Sequence, residues 1–368
     1  MYNWQHKDWP QFSYHIGEES YARLLQFQQL AGQMKGTLHA LPPEAELDAI
    51  IENMVAEAVN SSAIEGEVIS KPDVRSSIRN KLHLGFPETP VFDQKAIGMG
   101  QLMTVIRASF ADPLQASDIQ NWHQMLFSGI DQPWVGKWRT HEDPMQVVSG
   151  FMGKQKVHFE APPSNKVSAE MEAMIAWFNQ TAPGNSAVII HAPERAAVAH
   201  LYFESIHPFE DGNGRIGRAL AEKALSQTLG RPAVCSLSMI IEANRKEYYR
   251  QLENAQQKIE ISEWMDYFIE VILQAQQAAV ETVGFSLAKN KFFAKFNGEL
   301  TERQLKVVRR MLDEGREGFK GGMNATKYQG ITGVSKATAT RDLQELAAKG
   351  VLVQVGGGRS TRYDLYLE

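Results

Sequence analysis

The stretch HPFEDGNGRIGR, from His207 to Arg218, lies between two segments with helical patterns. The segment before it, HAPERAAVAHLYFESI, has a proline near its start and apolar residues at helical spacing, namely Val198, Leu201, Tyr202 and Ile206. This pattern predicts a buried helix with proline in its first turn. The segment after it, NGRIGRALAEKALSQTLG, stays helical until its final glycine. The sequence therefore predicts two helices joined by a short loop that contains glycine.

The loop has the chemical features of an anion-binding site. Backbone N–H groups at the start of a helix have no intrahelical partner and lie at the positive end of the helix dipole, so they attract phosphate. Glycine at positions 212 and 214 lets the chain bend and lets a phosphate come close. Arg215 and Arg218 are three residues apart and share a helix face, so both can reach one polyphosphate.

Other interpretations of this loop are less favoured. Gly212, Gly214 and Gly217 match the dinucleotide-binding pattern GxGxxG, but that pattern needs a preceding strand, and a helix and a Pro-Phe pair precede it here. A solvated loop with an ordinary histidine would not need so many matched residue types. A P-loop is excluded because GxxxxGK[ST] does not occur in the chain.

HPFEDGNGRIGR resembles the signature of Fic domains, HxFx[DE]GNGRxxR, at every specified position. Fic proteins typically transfer AMP from ATP to a protein hydroxyl. The resemblance implies that His207 is the general base for a Ser, Thr or Tyr hydroxyl and that Asp211 holds Mg²⁺. Phe209 is expected to anchor the loop in the core.

The resemblance also assigns the contacts to ATP. Gly212, Asn213 and Gly214 would cradle the phosphates, Arg215 would bind the β-phosphate, and Arg218 would bind the γ-phosphate. The ATP-binding residues expected in this way are Glu65, His207, Gly212, Asn213, Gly214, Arg215, Ile216, Gly217, Arg218 and Tyr249.

A second motif lies at the end of AELDAIIENMVAEAVNSSAIEGE, whose apolar residues recur at helical spacing. Ser61 to Gly66 matches [ST]xxxE[GN], the inhibitory motif that many Fic proteins carry on a helix before the core. The resemblance implies that Ser61, Glu65 and Gly66 are inhibitory, with Glu65 taking Arg218 away from the γ-phosphate. A serine and a glutamate on a solvated helix that stops at glycine are the alternative.

Two segments are expected to border the same site. Gln146–Ser149 and Lys156–Phe159 predict a β-hairpin, which in Fic proteins is a flap that binds the target by strand addition. The expected flap contacts are Val147, Val148, Ser149 and Gly150, and a plain surface hairpin is the alternative. NRKEYYRQLENAQQ, which starts at Asn244, resembles the tyrosine pair that follows the motif helix in Fic proteins. The resemblance implies that Tyr249 borders adenine, and two tyrosines packed in the core are the alternative. Gln256 stands where some relatives have asparagine.

The C-terminal segment resembles a winged helix-turn-helix. Ser335 is a natural N-cap for a helix through Lys349, and two strands follow around three glycines. From Thr301 onward the chain has 12 Lys and Arg against 8 Asp and Glu, a net charge of +4. This segment is expected to bind either DNA or a protein. The expected DNA contacts are Ser335, Lys336, Thr338, Thr340, Arg341, Arg359 and Arg362.

Composition limits the classes that remain. With 368 residues, 43% hydrophobic, the chain can bury a large core, and its net charge of −5 argues against binding nucleic acid over its whole surface. A single cysteine excludes an intrachain disulfide and a multi-cysteine zinc cluster. No secretory signal is evident, and no stretch approaches the roughly 20 apolar residues that span a bilayer. A cytoplasmic location and a homodimer are the default expectations.

The expected fold is mainly α. It comprises an N-terminal helical region (1–110) with an inhibitory helix at about 45–66, a Fic core (111–287) with a flap hairpin at about 145–160, and a winged helix-turn-helix (298–368). The expected function is that of a self-inhibited protein adenylyltransferase that uses ATP and Mg²⁺. The alternatives are a DNA-binding transcriptional regulator with a nucleotide-binding Fic domain, and removal of AMP from a modified target.

Overall fold

A computed structural model describes residues 1–84, 88–149, 156–312, 319, 321–358 and 361–367. The fold is mainly helical, as predicted, with two small antiparallel hairpins. The helices are α1 (Glu18–His39), α2 (Pro43–Ile64), α3 (Lys71–Lys81), α4 (Gln94–Ala108), α5 (Ala116–Leu126), α6 (Val167–Gln180), α7 (Ala192–Ile206), α8 (Asn213–Leu229), α9 (Leu237–Ala243), α10 (Arg245–Ala255), α11 (Ser262–Lys295), α12 (Glu302–Leu312), α13 (Ala325–Thr332) and α14 (Lys336–Ala348). The strands are β1 (Gln146–Ser149), β2 (Lys156–Glu160), β3 (Leu352–Val355) and β4 (Arg362–Leu365).

The chain divides into two compact units. The first comprises Met1–Gln33 and Ile50–Ala279, and the second comprises Met34–Ala49 and Val280–Glu368. Among the described residues, none of the helices combines the length and the apolar character that a bilayer crossing requires.

Helices α7 and α8 form the centre of the first unit. Every residue of α7 except Glu194 is buried, and the helix carries proline in its first turn, as predicted. Close packing of the two helices depends on Gly217, because a Cβ atom there would clash with Glu204 and come within 3.1 Å of His200 on α7. Both helix ends that meet at the signature loop are therefore held in a rigid core.

The loop between α7 and α8 uses two left-handed residues. His207 caps the C-terminus of α7 with a φ of 50°, and Gly212 caps the N-terminus of α8 with a φ of 79°. Phe209 is fully buried and stacks on His123 with a ring-centroid distance of 3.9 Å, which confirms that it anchors the loop in the core. No strand leads into α8, so the condition for a dinucleotide-binding turn is not met.

The hairpin β1–β2 has the predicted bounds within one residue. Its register pairs Val147 with Phe159 and Val148 with Val157, with an irregularity between Val147 and Val148 that fits a β-bulge. The Trp4 indole N–H donates to the carbonyl of Glu160 at 2.7 Å, so the N-terminal segment covers the end of β2. Gly150, one of the four expected flap contacts, lies outside the described residues.

The second unit contains α12, α13 and α14, followed by the hairpin β3–β4. Ser335 caps α14 by accepting the Thr338 N–H at 3.3 Å, as predicted. Asp342 on α14 ties the helices together, because it accepts from the Arg303 Nε and from the Tyr328 hydroxyl, both at 2.9 Å. Helix α14 and the two strands after it lie where the sequence predicted a helix and two strands, and Arg359 lies outside the described residues.

Candidate active site

A cleft of about 410 Å³ opens in the first unit beside the signature loop. Four elements border it: the end of α2, the α7–α8 loop, strand β1 and helix α10. Most of the expected site residues lie at this one place. Those that line the cleft are Glu65, Val147, Val148, Ser149, His207, Asp211, Gly212, Asn213, Gly214 and Tyr249.

His207 is held on both sides of its backbone. Its N–H donates to the Phe203 carbonyl at 2.9 Å, and its own carbonyl accepts from the Arg139 Nε at 2.8 Å. Burial, followed by the positive charge of Arg139, lowers the pKa of His207 to about 4. The imidazole is therefore neutral near pH 7, as a proton acceptor must be.

Arg139 holds the loop in place, and sequence reasoning did not assign it this role. Its guanidinium is 2% exposed and donates to the carbonyls of Pro162 at 2.5 Å and Ile206 at 3.3 Å, and to the Ser164 hydroxyl at 3.0 Å. Arg139 thus joins the end of α7 to the segment after β2. The only signal for it in the sequence was its position next to a tryptophan ahead of the hairpin.

Asn213 shapes the loop with its side chain. The amide accepts from the Phe209 N–H and donates to the Phe209 carbonyl, both at 2.9 Å. The side chain is therefore committed to the loop, and the contact that Asn213 can make with an anion comes from its backbone N–H at the start of α8.

The glycines of the signature have separate roles. A Cβ atom at Gly212 would meet the ring of Phe127 at 2.8 Å, and its φ of 79° is one that other residues rarely adopt. A Cβ atom at Gly214 would clash with the carboxylate of Glu65, so this carboxylate lies directly against the first turn of α8. Gly217 faces α7, and Ile216 is fully buried, so neither of these two expected ATP-binding residues lines the cleft.

Arg218 pairs with Glu65. The Arg218 Nη2 donates to Glu65 Oε1 at 2.9 Å and to the Ser61 carbonyl at 2.8 Å, and its Nε donates to the Ser61 hydroxyl at 3.0 Å. The guanidinium is 1% exposed, and its Nη1 has no hydrogen-bond partner among the described residues. Burial opposes the charge of Arg218, but Glu65 outweighs it and raises the pKa above the ordinary value.

Arg215 pairs with a carboxylate that was not predicted, that of Glu67. The Arg215 Nη1 donates to Glu67 Oε2 at 2.6 Å, and the Lys95 Nζ donates to Glu67 Oε1 at 2.8 Å. The sequence signal is the second glutamate of EGE, two residues after Glu65. Each arginine of the signature is thus held by one carboxylate from the end of α2.

Asp211 is the expected metal ligand. Its side chain is 66% exposed at the cleft, and its Oδ1 accepts the Gly212 N–H at 2.6 Å and lies 3.7 Å from the Arg215 Nη2. In the part of the chain that the structure describes, no group of three or more His, Cys, Asp or Glu side chains is placed to hold a metal ion. A single carboxylate suits an ion that takes most of its ligands from phosphates and water, as Mg²⁺ does.

The two tyrosines of α10 lie in different environments. Tyr248 is buried and shares a hydrogen bond of 2.8 Å with His200 Nε2, whereas Tyr249 is 41% exposed at the cleft. The Tyr249 hydroxyl donates to the Ile64 carbonyl at 3.4 Å, so this ring also touches the end of α2. On the same helix, Glu253 pairs with His158 at 2.8 Å and thereby ties β2 to α10.

Three ranges of the chain match known families. Residues 113–225 match the Fic/DOC family, residues 2–84 match a domain of unknown function (DUF4172), and residues 308–366 match the C-terminal domain of DIP2311-like transcriptional regulators. The first of these ranges contains the whole signature.

Curated proteins that resemble the chain are also Fic proteins. The protein adenylyltransferase Fic of Aedes aegypti is 26% identical over 244 residues, 66% of this chain and 44% of that protein. The protein adenylyltransferase fic-1 of Caenorhabditis elegans is 26% identical over 198 residues, 52% of this chain and 35% of that protein. The chain therefore spans less than half the length of these curated relatives.

Solved structures show the same fold. A Fic family protein from Desulfovibrio desulfuricans G20 has a TM-score of 0.55 and 20% identity, with 96% of this chain and 97% of that chain covered. Fic-1 (residues 134–508) from Caenorhabditis elegans has a TM-score of 0.54 and 19% identity, with 74% of both chains covered.

Proposed function

From the premise that this chain contains a Fic/DOC domain at residues 113–225, we propose that it transfers AMP from ATP to a Ser, Thr or Tyr hydroxyl of a protein and releases pyrophosphate. We further propose that Glu65 inhibits this reaction in the resting protein. The observation that carries both proposals is the position of the Glu65 carboxylate. It lies against Gly214 in the first turn of α8 and accepts a hydrogen bond from Arg218, one turn further along the same helix. An anion already occupies a place suited to phosphate.

His207 is the proposed general base. The target hydroxyl gives its proton to the imidazole Nε2 while its oxygen attacks the α-phosphorus. A new oxygen–phosphorus bond forms, the bond from the α-phosphorus to the bridging oxygen breaks, and its electron pair leaves with pyrophosphate. Burial and Arg139 support this role because they keep the imidazole neutral near pH 7.

The phosphate groups would be bound by the start of α8 and by the two arginines beneath it. Backbone N–H groups there have no helical partner, and two buried donor atoms, Arg218 Nη1 and Arg215 Nε, lack partners among the described residues. Buried donors of this kind favour an anionic ligand. Asp211 would hold Mg²⁺ together with phosphate oxygens, and the ion would offset negative charge on the leaving group.

The remaining walls suggest how nucleotide and target are placed. Tyr249 exposes a ring at the cleft that can border adenine. Strand β1 lines the cleft beside His207, and a target segment that added to this hairpin would bring a hydroxyl near the imidazole. Because strand addition reads the backbone, it does not by itself select one target sequence.

Inhibition would follow from competition for Arg218. While Glu65 pairs with this guanidinium, a γ-phosphate loses its partner and meets a negative charge. The Ser61 hydroxyl and carbonyl strengthen the competition, since both hold Arg218 toward α2. Glu65→Gly removes the carboxylate and should admit ATP in a productive position.

Incubation with ATP labelled at the α-phosphate tests the proposal. We expect weak self-labelling by the unaltered protein, strong labelling by Glu65→Gly, and none by Glu65→Gly/His207→Ala. Equal labelling of the unaltered protein and Glu65→Gly would refute the inhibition. A different result would favour removal of AMP as the function. In that case Glu65→Gly takes no label from any nucleotide, and the unaltered protein releases AMP from a previously modified protein.

A second candidate function concerns the C-terminal segment. One face of α14 is buried through Ala339, Leu343 and Leu346, while Lys336 and Arg341 are exposed. With the net charge of +4 and the match to a transcriptional regulator domain, this face fits DNA binding by a winged helix-turn-helix. A DNA shift that falls with salt and is lost in Arg341→Ala would support it. Binding of proteins but not of DNA fragments would exclude it.

A further inference from the structure

We propose that Glu204 is a positioning residue for His207: its carboxylate accepts the Nδ1–H of the imidazole and leaves Nε2 free for the proton of the target hydroxyl. The inference rests on the proposed function, because it gives the base of that reaction a partner. Glu204 was not among the expected site residues.

The two side chains face each other at the end of α7. Glu204 Oε2 lies 3.7 Å from His207 Nδ1, and the side chains are 5% and 15% exposed. Neither His207 Nδ1 nor Glu204 Oε1 has a hydrogen-bond partner among the described residues. The separation is longer than a hydrogen bond, and the proposed contact belongs to the substrate-bound protein, in which catalytic hydrogen bonds tighten.

The position of Glu204 is fixed from several directions. Its carbonyl accepts from the Gln256 Nε2 at 3.0 Å, and the Gln256 carbonyl accepts the Asn3 N–H at 2.8 Å. Asn3 also donates from its side chain to the Ser205 hydroxyl at 2.8 Å. Beside the carboxylate, Gly217 lets α8 approach so closely that a Cβ atom would clash with Glu204 Oε1. The carboxylate is thus confined to the space behind the imidazole.

The surroundings shift the pKa values of both Glu204 and His207. Burial raises the pKa of Glu204 to about 8, with Arg218 opposing and Glu65 adding to the shift. Burial and Arg139 lower the pKa of His207 to about 4, against the opposing effects of the Glu204 backbone carbonyl near the ring and of the Asp211 charge. Near pH 7 Glu204 therefore holds its proton most of the time and His207 is neutral, and the carboxylate that accepts Nδ1–H becomes favourable as His207 takes up the proton of the target hydroxyl. An acid behind a catalytic histidine holds one tautomer and stabilises the imidazolium.

A kinetic comparison tests the role in the Glu65→Gly protein, where transfer is expected to be measurable. Glu204→Met has similar length but replaces the carboxylate with a thioether, a much weaker acceptor, and Glu194→Met on the same helix is the matched control. We expect Glu204→Met to lower the maximal rate of AMP transfer about 10- to 100-fold. The ATP concentration for half-maximal rate should change less than about twofold. Glu194→Met should change neither value.

A spectroscopic measurement needs no AMP transfer. With ¹⁵N-labelled histidine, the His207 imidazole signal is identified by its loss in His207→Ala. We expect the Nδ1–H tautomer in Glu65→Gly and a shift toward Nε2–H in Glu65→Gly/Glu204→Met. An unchanged tautomer, with or without a slower rate, would overturn the inference. A shifted tautomer in a protein that never transfers AMP would refute the proposed function and leave the Glu204–His207 pair supported.

Discussion

Glu67 accepts a hydrogen bond from Arg215 at 2.6 Å, two residues after the glutamate that pairs with Arg218. The end of α2 therefore supplies a carboxylate to each arginine of the signature. Gly66, with a φ of 78°, turns the chain between the two glutamates. The proposed reaction needs both arginines to bind phosphate. Since each arginine has its own glutamate, the effect of each ion pair on the rate of AMP transfer can be measured separately.

We predict that Glu67→Gln raises AMP transfer further in the Glu65→Gly protein, by about 2- to 10-fold, since one charge-assisted hydrogen bond to Arg215 is weakened. The increase is limited because Lys95 already shares the Glu67 carboxylate. Initial rates with labelled ATP measure the effect. Glu52→Gln, on the same helix α2 and paired with Arg75 instead of with the signature, is the control. A lower rate in the double variant would show that Glu67 holds Arg215 ready for ATP.

We predict that Arg139→Met slows transfer at least about tenfold, because the His207 carbonyl loses its donor and the loop shifts. The free energy of unfolding should also fall by about 2–4 kcal/mol, since several buried carbonyl groups lose their partner. Urea unfolding and initial rates measure the two effects. Lys137→Met, at an exposed neighbouring position, should leave both unchanged. Normal activity in Arg139→Met would contradict the role assigned to it.

A third prediction concerns Gly217→Ala. Its methyl group would press on Glu204 and His200 where α7 and α8 touch, so the free energy of unfolding should fall by about 1–3 kcal/mol. Gly32→Ala in α1 meets no neighbouring atom within 4 Å and should instead stabilise the protein by about 0.5–1 kcal/mol. Denaturant midpoints compare the two. If both substitutions stabilise, the packing of α7 on α8 is looser than described.

We predict that His200 contributes stability to the unaltered protein that is lost as the pH falls below 6.5. Burial lowers the pKa of His200 from 6.5 to about 3, with Arg218 adding to the shift against a hydrogen bond to Gly217. The folded state therefore binds fewer protons than the unfolded state, and the stability present above pH 6.5 is lost as the pH falls toward 3. Urea midpoints at pH 7.5 and 5.0 should differ less for His200→Gln than for the unaltered protein. An equal or larger difference in the variant would contradict the assignment.

The local structure around the candidate site that agrees with the prediction depends on neighbours in the chain. The loop between α7 and α8 follows from a proline, two glycine caps and helical periodicity within about two dozen residues on either side. The bounds of β1 and β2 follow from short β-prone runs around a turn. The Glu65–Arg218 pair joins distant residues, and it was expected because two separate motifs resemble one family.

Two of the contacts that were missed join residues far apart in the chain. Arg139 and the His207 carbonyl are separated by 68 residues, and Glu67 and Arg215 by 148. Glu204 was missed for a different reason: it lies only three residues from His207, and from the sequence alone it is an ordinary polar residue on α7. Local hydrogen bonding and side-chain periodicity depend on the residues nearby, so they can be read from the sequence. Burial and the partner of a charge depend on how helices pack, so the placement of Arg139, Glu67 and Glu204 beside their partners emerges only from the folded chain.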